Sequence, residues 1–85
     1  MQTFTHIITD PSGLHARPAG LLVKAVSSYH SAVTVTTATG SADAKRLLAL
    51  MRLAAKEGSV LTVTVEGEDE ITAAEEIKTF LKENL

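Results

Sequence analysis

The sequence predicts an α+β fold, a two-layer open-faced sandwich in which a four-stranded antiparallel sheet carries three helices on one face. Three observations lead there. Three segments alternate apolar and polar residues with the period of a half-buried strand, the first of them imperfectly, and a turn leads into a short further strand. Three others repeat their apolar residues at helical spacing. The alternation in the strands is one-sided, which leaves one sheet face wet and gathers the helices on the other.

The elements follow in order. Thr3 to Thr9 forms the first strand, with Phe4, His6 and Ile8 on its inner face. Asp10-Pro11-Ser12-Gly13 is a turn or loop signal. Leu14, Ala19, Leu22, Val23 and Val26 then outline a helix from about Ala16 to Ser28. Pro18 fits only in its first turn, where a missing amide hydrogen costs nothing, so the helix starts at His15 or Ala16. Ala32 to Thr37 is a second strand with Val33 and Val35 inward. Thr39-Gly40 turns into a short third strand near Ser41 to Asp43. A short helix over Arg46 to Leu53 sets Leu47, Leu50 and either Met51 or Leu53 along one side, and Gly58 supplies a stop. Val60 to Glu66 alternates cleanly, with Leu61, Val63 and Val65 inward. After the polar turn Glu66 to Glu70, the residues Ile71, Ala74, Ile77, Lys78 and Leu81 outline a last amphipathic helix.

Eighty-five residues suit one domain, spanning residues 1–85, with a thin core. There is no cysteine, which excludes disulfides and thiolate metal sites. The start lacks the basic and apolar pattern of a secretory signal, and no apolar run approaches the roughly 20 residues of a membrane span. A cytoplasmic protein without membrane insertion is the expectation. Net charge is −2, but it is unevenly spread. Up to residue 56, Arg17, Lys24, Lys45, Arg46, Arg52 and Lys56 outweigh Asp10 and Asp43. Beyond it, eight acids face Lys78 and Lys82. Such asymmetry suits either an anionic ligand or partner, or a merely solvated surface. With three aromatics and no dense basic cluster, nucleic acid is not expected as a partner.

The informative stretch is Ser12-Gly13-Leu14-His15-Ala16-Arg17-Pro18. His15 sits at or just before a helix start, where free N–H groups and the helix dipole favour a phosphate. Ser, Thr, Asp or Asn caps a helix better than imidazole does. The histidine is therefore either incidental there or present as a nucleophile, since a neutral imidazole nitrogen attacks phosphorus well. Arg17 can pair its guanidinium with phosphoryl oxygens. Gly13 lets the chain turn tightly beside the ring. Elsewhere, His6, His15 and His30 lack metal-ligand spacing, so no metal and no cofactor are expected. His6 reads as a core or edge histidine with its ring satisfied, and His30 as a solvated loop residue. No serine or threonine shows a partnered base, and no substrate pocket or second catalytic group is apparent, which speaks against an independent enzyme.

The motif Gly13-Leu14-His15-Ala16-Arg17-Pro18 resembles, residue for residue, the active-site signature of the HPr family, the histidine-containing phosphocarriers of the bacterial sugar phosphotransferase system. The likeness extends to the AVTVTT strand, Ser41 to Lys45 and the VEGEDE segment. It implies the same two-layer fold and a relay: enzyme I takes phosphate from phosphoenolpyruvate, His15 receives it on Nδ1, and IIA domains of sugar permeases collect it. It also implies that Ala16, Arg17 and Pro18 surround the phosphoryl group. The partner surface would join the first two helices through Gly20, Lys24, Leu47, Leu48, Met51 and Arg52. Leu48 stands out from the residues alone, because it cannot share one buried face with Leu47, Leu50 and Met51 or Leu53. It either marks a contact site or widens the core stripe. The family prefers an aliphatic residue where His6 stands. A carrier that docks in turn to two proteins is expected to be a monomer. A regulator of the same fold, binding a transcription factor or enzyme, is the alternative, and His15 with Arg17 argues against it because binding alone needs no nucleophile.

One position departs from the family. Many relatives carry a serine at the start of the second helix that a dedicated kinase phosphorylates, and here that position is Arg46. That chemistry cannot occur at an arginine, whose charge opposes the helix dipole and attracts an acidic partner instead. The chain is expected to lie outside serine-kinase control, as a dedicated paralogue would. Incubation with an HPr kinase should leave its mass unchanged; efficient phosphorylation at another serine, such as Ser41, would overturn the expectation.

Overall fold

A computed structural model describes residues 1–85 and contains seven elements: β1 (Gln2–Ile7), α1 (Ala16–Val26), β2 (Ala32–Thr37), β3 (Gly40–Asp43), α2 (Leu47–Arg52), β4 (Val60–Glu66) and α3 (Glu70–Asn84). The four strands form one antiparallel sheet in the order β1-β4-β2-β3. β4, the most regularly alternating segment, is thus central, with Phe4 opposite Val63 on one side and Val35 opposite Val63 on the other.

Period-two alternation does the sorting. Val33, Val35, Leu61, Val63 and Val65 face the helices and are buried. The opposite face presents threonines in register: Thr3 and Thr34 flank Thr64, and Thr5 and Thr36 flank Thr62. Threonine suits this place because it is β-branched, as strands favour, yet its hydroxyl tolerates water. α1 contributes Ala19, Leu22 and Val26 to the core, and α3 contributes Ala73, Ala74, Ile77 and Leu81. Burying a side chain such as Leu22 or Leu61 stabilises by about 1.5–3 kcal/mol.

Four expectations need correction. Ile71 is 67% exposed, because it lies about 120° around α3 from Ile77, off the buried stripe. Lys78, also placed on the amphipathic face, is exposed and holds its ammonium 5.8 Å from the centre of the Phe4 ring. α2 does not end at Gly58: it closes with Leu53 and Ala54 donating to Leu50 and Met51, and Ala54 takes the left-handed φ of 50°. Gly58 turns the chain into β4 instead. His6 does face inward, but its buried Nε2 has no hydrogen-bond partner.

The join between α1 and the sheet is held from a distance. Asp69 precedes α3, and rather than capping its own helix it accepts the N–H groups of His30 and Ser31, both at 2.9 Å, together with the Ser31 hydroxyl. Ser31 is fully buried. Gly67 passes so close that a Cβ there would stand 2.6 Å from the Ser31 Cα, so only glycine fits. Above this, the Tyr29 hydroxyl donates to Glu76 at 2.6 Å and Lys45 donates to the Tyr29 carbonyl at 3.0 Å.

Two outcomes follow for stability. The Ser31 hydroxyl first, and the two backbone N–H groups with it, hold the Asp69 carboxyl at about 2, below its ordinary 3.8. A carboxyl with a depressed value stabilises the fold fully above its ordinary range and loses that contribution as pH falls from about 4 towards 2. Chemical denaturation of Asp69→Asn beside the parent should show a deficit at neutral pH that shrinks through this window; a deficit that ignores pH would refute the assignment. His6→Leu should remove an unpaired buried polar atom and stabilise by about 1 kcal/mol, raising Tm by roughly 4–8 °C. An unchanged or lower Tm would mean that Nε2 is not a liability.

Candidate functional site

Between Ile8 and Leu14, both buried, residues 9–12 loop out to the surface and Gly13 turns back in. Their backbone is held at each turn. Thr9 and Asp10 donate to the Leu85 main-chain oxygen at 2.6 and 3.1 Å, and the Thr9 hydroxyl adds a third bond at 2.9 Å. Ser12 donates to the Asp10 carboxylate at 2.8 Å, and Gly13 to the Asp10 carbonyl at 2.9 Å. Gly13 has a φ of 66°, and a Cβ on it would lie 2.9 Å from the Lys56 Cα. That backbone neighbour cannot yield, so glycine is required. Leu14 then donates to Ala55 at 3.0 Å.

His15 follows as the residue that caps α1, with extended backbone (φ −92°, ψ −179°) and no side-chain hydrogen bond to the helix. Its carbonyl accepts from Ala19 at 3.0 Å, so the helix does begin at Ala16. The N–H groups of Ala16 and Arg17 have no acceptor within the chain, and Pro18 has no N–H to offer. Two unpaired donors therefore sit at the positive end of a helix next to an imidazole that is 43% exposed. Asp10, His15, Arg17, Pro18, Leu21, Glu83 and Asn84 line one open hollow. The Asp10 carboxylate stands 3.8 Å from His15 Nε2.

α1 and α2 pack side by side, which brings the second group of candidates together. Leu48 is 69% exposed, so it marks the surface and does not widen the core stripe; Leu50 and Leu53 are the buried residues of that segment. Leu47 and Met51 are each 39% exposed. Gly20 is half-buried, and Lys24, Arg46 and Arg52 are exposed. Arg46 precedes α2 without capping it; Asp43 instead fixes the entry by accepting the Lys45 N–H at 2.9 Å and, through its carbonyl, the Arg46 N–H at 3.0 Å. None of Arg17, Lys24, Arg46 and Arg52 has an acidic partner within 4.0 Å. The face is apolar in the middle with unpaired cations around it.

His6 and His30 take no part, one on the inner side of β1 and the other exposed after α1. Four residues that line the hollow, Asp10, Leu21, Glu83 and Asn84, are not among those the sequence singles out. Leu21, 42% exposed, belongs with the apolar patch, and the adjacent Leu22 was its signal, since neighbouring leucines cannot both face the core. Asp10 reads in sequence only as a turn residue, and its approach to His15 appears only once the loop is closed.

Comparison with known proteins identifies the family. The family model described as the PTS HPr component phosphorylation site matches residues 2–83. The chain belongs to the HPr family. It is 45% identical over 83 residues to the phosphocarrier protein HPr of Lysinibacillus sphaericus, covering 98% of this chain and 94% of that one. The solved histidine-containing phosphocarrier protein of a Mycoplasma superposes with a TM-score of 0.93 at 34% identity, over 96% of this chain and 93% of the other. Crh of Bacillus subtilis, a catabolite-repression protein seen as a swapped-domain dimer, superposes with a TM-score of 0.77 at 30% identity, over 100% and 98%. The HPr fold expected from the sequence, four antiparallel strands with three helices, is the one found. No helix is long and apolar enough to cross a membrane.

Proposed function

We propose that this chain carries a phosphoryl group on His15, received from enzyme I and delivered to IIA domains of sugar permeases, rather than catalysing a reaction on a small substrate. The observation that carries the reading is the pair of unpaired N–H groups on Ala16 and Arg17 beside an exposed imidazole. In the transfer, a ring nitrogen attacks phosphorus while the bond to the donor breaks. The two N–H groups and the Arg17 guanidinium hold the phosphoryl oxygens as charge moves through them. Pro18 contributes by fixing where the helix, and so those donors, begin.

Phosphohistidine stores the group in a labile P–N bond, which suits a carrier. The hollow at His15 is open, so the donor and acceptor proteins complete the site and exclude water. The face of Gly20, Lys24, Leu47, Leu48, Met51 and Arg52, with Leu21 and Arg46 added, is the surface on which they dock. Its free cations suit acidic rims, which raise the encounter rate. Docking of the same face to two partners in turn is simplest for a cytoplasmic monomer. Likeness to Crh favours a second reading, a regulatory binding protein in which His15 is not charged with phosphate.

One experiment separates them. With phosphoenolpyruvate, Mg²⁺ and enzyme I, intact mass should rise by one phosphoryl group, the gain should be lost in acid, and His15→Ala should show none. Should the parent gain nothing from its own organism's enzyme I, the regulatory reading takes precedence.

A further inference from the structure

Asp10 is held through both its main chain and its side chain in the loop that carries His15. Its main chain donates to the Leu85 oxygen and accepts from Gly13, and its Oδ1 accepts the Ser12 N–H at 2.8 Å. The carboxylate therefore has little freedom, and its other oxygen, Oδ2, is left facing His15 Nε2 at 3.8 Å. Nothing holds the opposite side of the ring, and the imidazole is partly exposed and makes no hydrogen bond to the helix. A fixed acceptor on one side of a movable ring selects which nitrogen carries the proton.

Resting on the carrier reading, we infer that Asp10 is a positioning residue that keeps the His15 proton on Nε2 and leaves the Nδ1 lone pair free for phosphorus. A distance of 3.8 Å is an electrostatic contact in the resting protein, and a swing of about an ångström makes it a hydrogen bond, as contacts at unliganded sites commonly tighten. During transfer the Nδ1 lone pair forms the P–N bond as the donor's bond to phosphorus breaks and its electron pair departs with the donor. The Nε2 proton stays in place throughout. The ring then carries positive charge, which the Asp10 carboxylate opposes. On delivery the P–N electron pair returns to Nδ1. Arg17 from α1 and Glu83 from α3 line the same hollow, so the local field is the sum of three charged groups facing the imidazole. Of the two carboxylates, only Asp10 comes within 4.0 Å of a ring nitrogen.

Asn at position 10 reverses the instruction. The Ser12 N–H still requires an acceptor, which fixes the amide oxygen there and turns the NH₂ towards Nε2. A donor facing Nε2 moves the ring proton to Nδ1 and blocks the nucleophile.

The test reads the tautomer directly from ¹⁵N chemical shifts of the His15 ring at a pH where the imidazole is neutral. The parent, Asp10→Asn and Glu83→Gln are compared, each also unfolded in urea as its own reference. The parent should be more Nε2-protonated than its unfolded reference. Asp10→Asn should shift the ratio towards Nδ1–H by about tenfold, a ratio equal to about 1.4 kcal/mol, and slow phosphoryl uptake by a similar factor. Glu83→Gln should move the ratio by less than Asp10→Asn does, because Glu83 lines the hollow without coming within 4.0 Å of a ring nitrogen. A parent no different from its unfolded reference, or an Asp10→Asn ratio equal to the parent's, overturns the assignment. The parent comparison decides even if the variant folds poorly. Because the tautomer is read on the free protein, failure here is distinct from failure of the carrier reading, which shows as no uptake by the parent.

Discussion

Burial of one side of the sheet is the constraint on which the remainder depends. An 85-residue chain has a single thin core, and here it is built from the inward rows of the strands, the facing stripes of α1 and α3, and Leu50 and Leu53 at α2. Ile8 ends the first inward row and Leu14 opens the contribution of α1, so both are fixed in depth. The residues between them are then obliged to make a short excursion at the surface. Asp10 and Gly13 shape that excursion, and Pro18 fixes the start of the helix beyond it. The exposed imidazole and the unpaired N–H groups are by-products of closing this corner.

Much of this was legible in the sequence, and the reason differs by element. β2 and β4 could be read to the residue because alternating valines and threonines leave no other periodicity open. The start of α1 was legible because proline tolerates only a first turn. His15 and Arg17 stood out because a histidine is a poor cap and the surrounding motif is specific. Leu48 could be singled out but not decided, since a six-residue helix has too few turns to define its buried stripe; the structure places it outside. What could not be read was interaction across long sequence separation. Asp69 lies 38 residues from Ser31, and the sequence shows it only as part of a polar turn, whereas its carboxylate holds the α1–β2 connection. The proximity of Asp10 to Leu85 is of the same kind.

The electrostatics divide along the same lines. Bases gather on α1 and α2 without acidic partners, while the acids crowd β4, α3 and the turn between them. Pairing the two sets would have neutralised the face around Leu48. Surface ion pairs contribute little to stability, so leaving the cations free costs the fold almost nothing. Acids that perform a structural task, among them Asp10, Asp43, Asp69 and Glu76, accept hydrogen bonds from backbone or neutral hydroxyl groups rather than from the exposed bases.

The strand order has a consequence for synthesis. β2 and β3 are joined by a tight turn and can meet as soon as both exist, but β1 has no neighbour except β4. Thr3 pairs with Thr64, so nearly the whole chain is translated before the first strand finds its place. A nascent chain halted short of β4 would expose the apolar rows of β1 and β2 with nothing between them. Closure of such distant pairs pays the loop entropy early and recovers it late, which places this small domain among slower folders for its size. The central strand acts as the keystone: it arrives nearly last, and the sheet becomes continuous in one step.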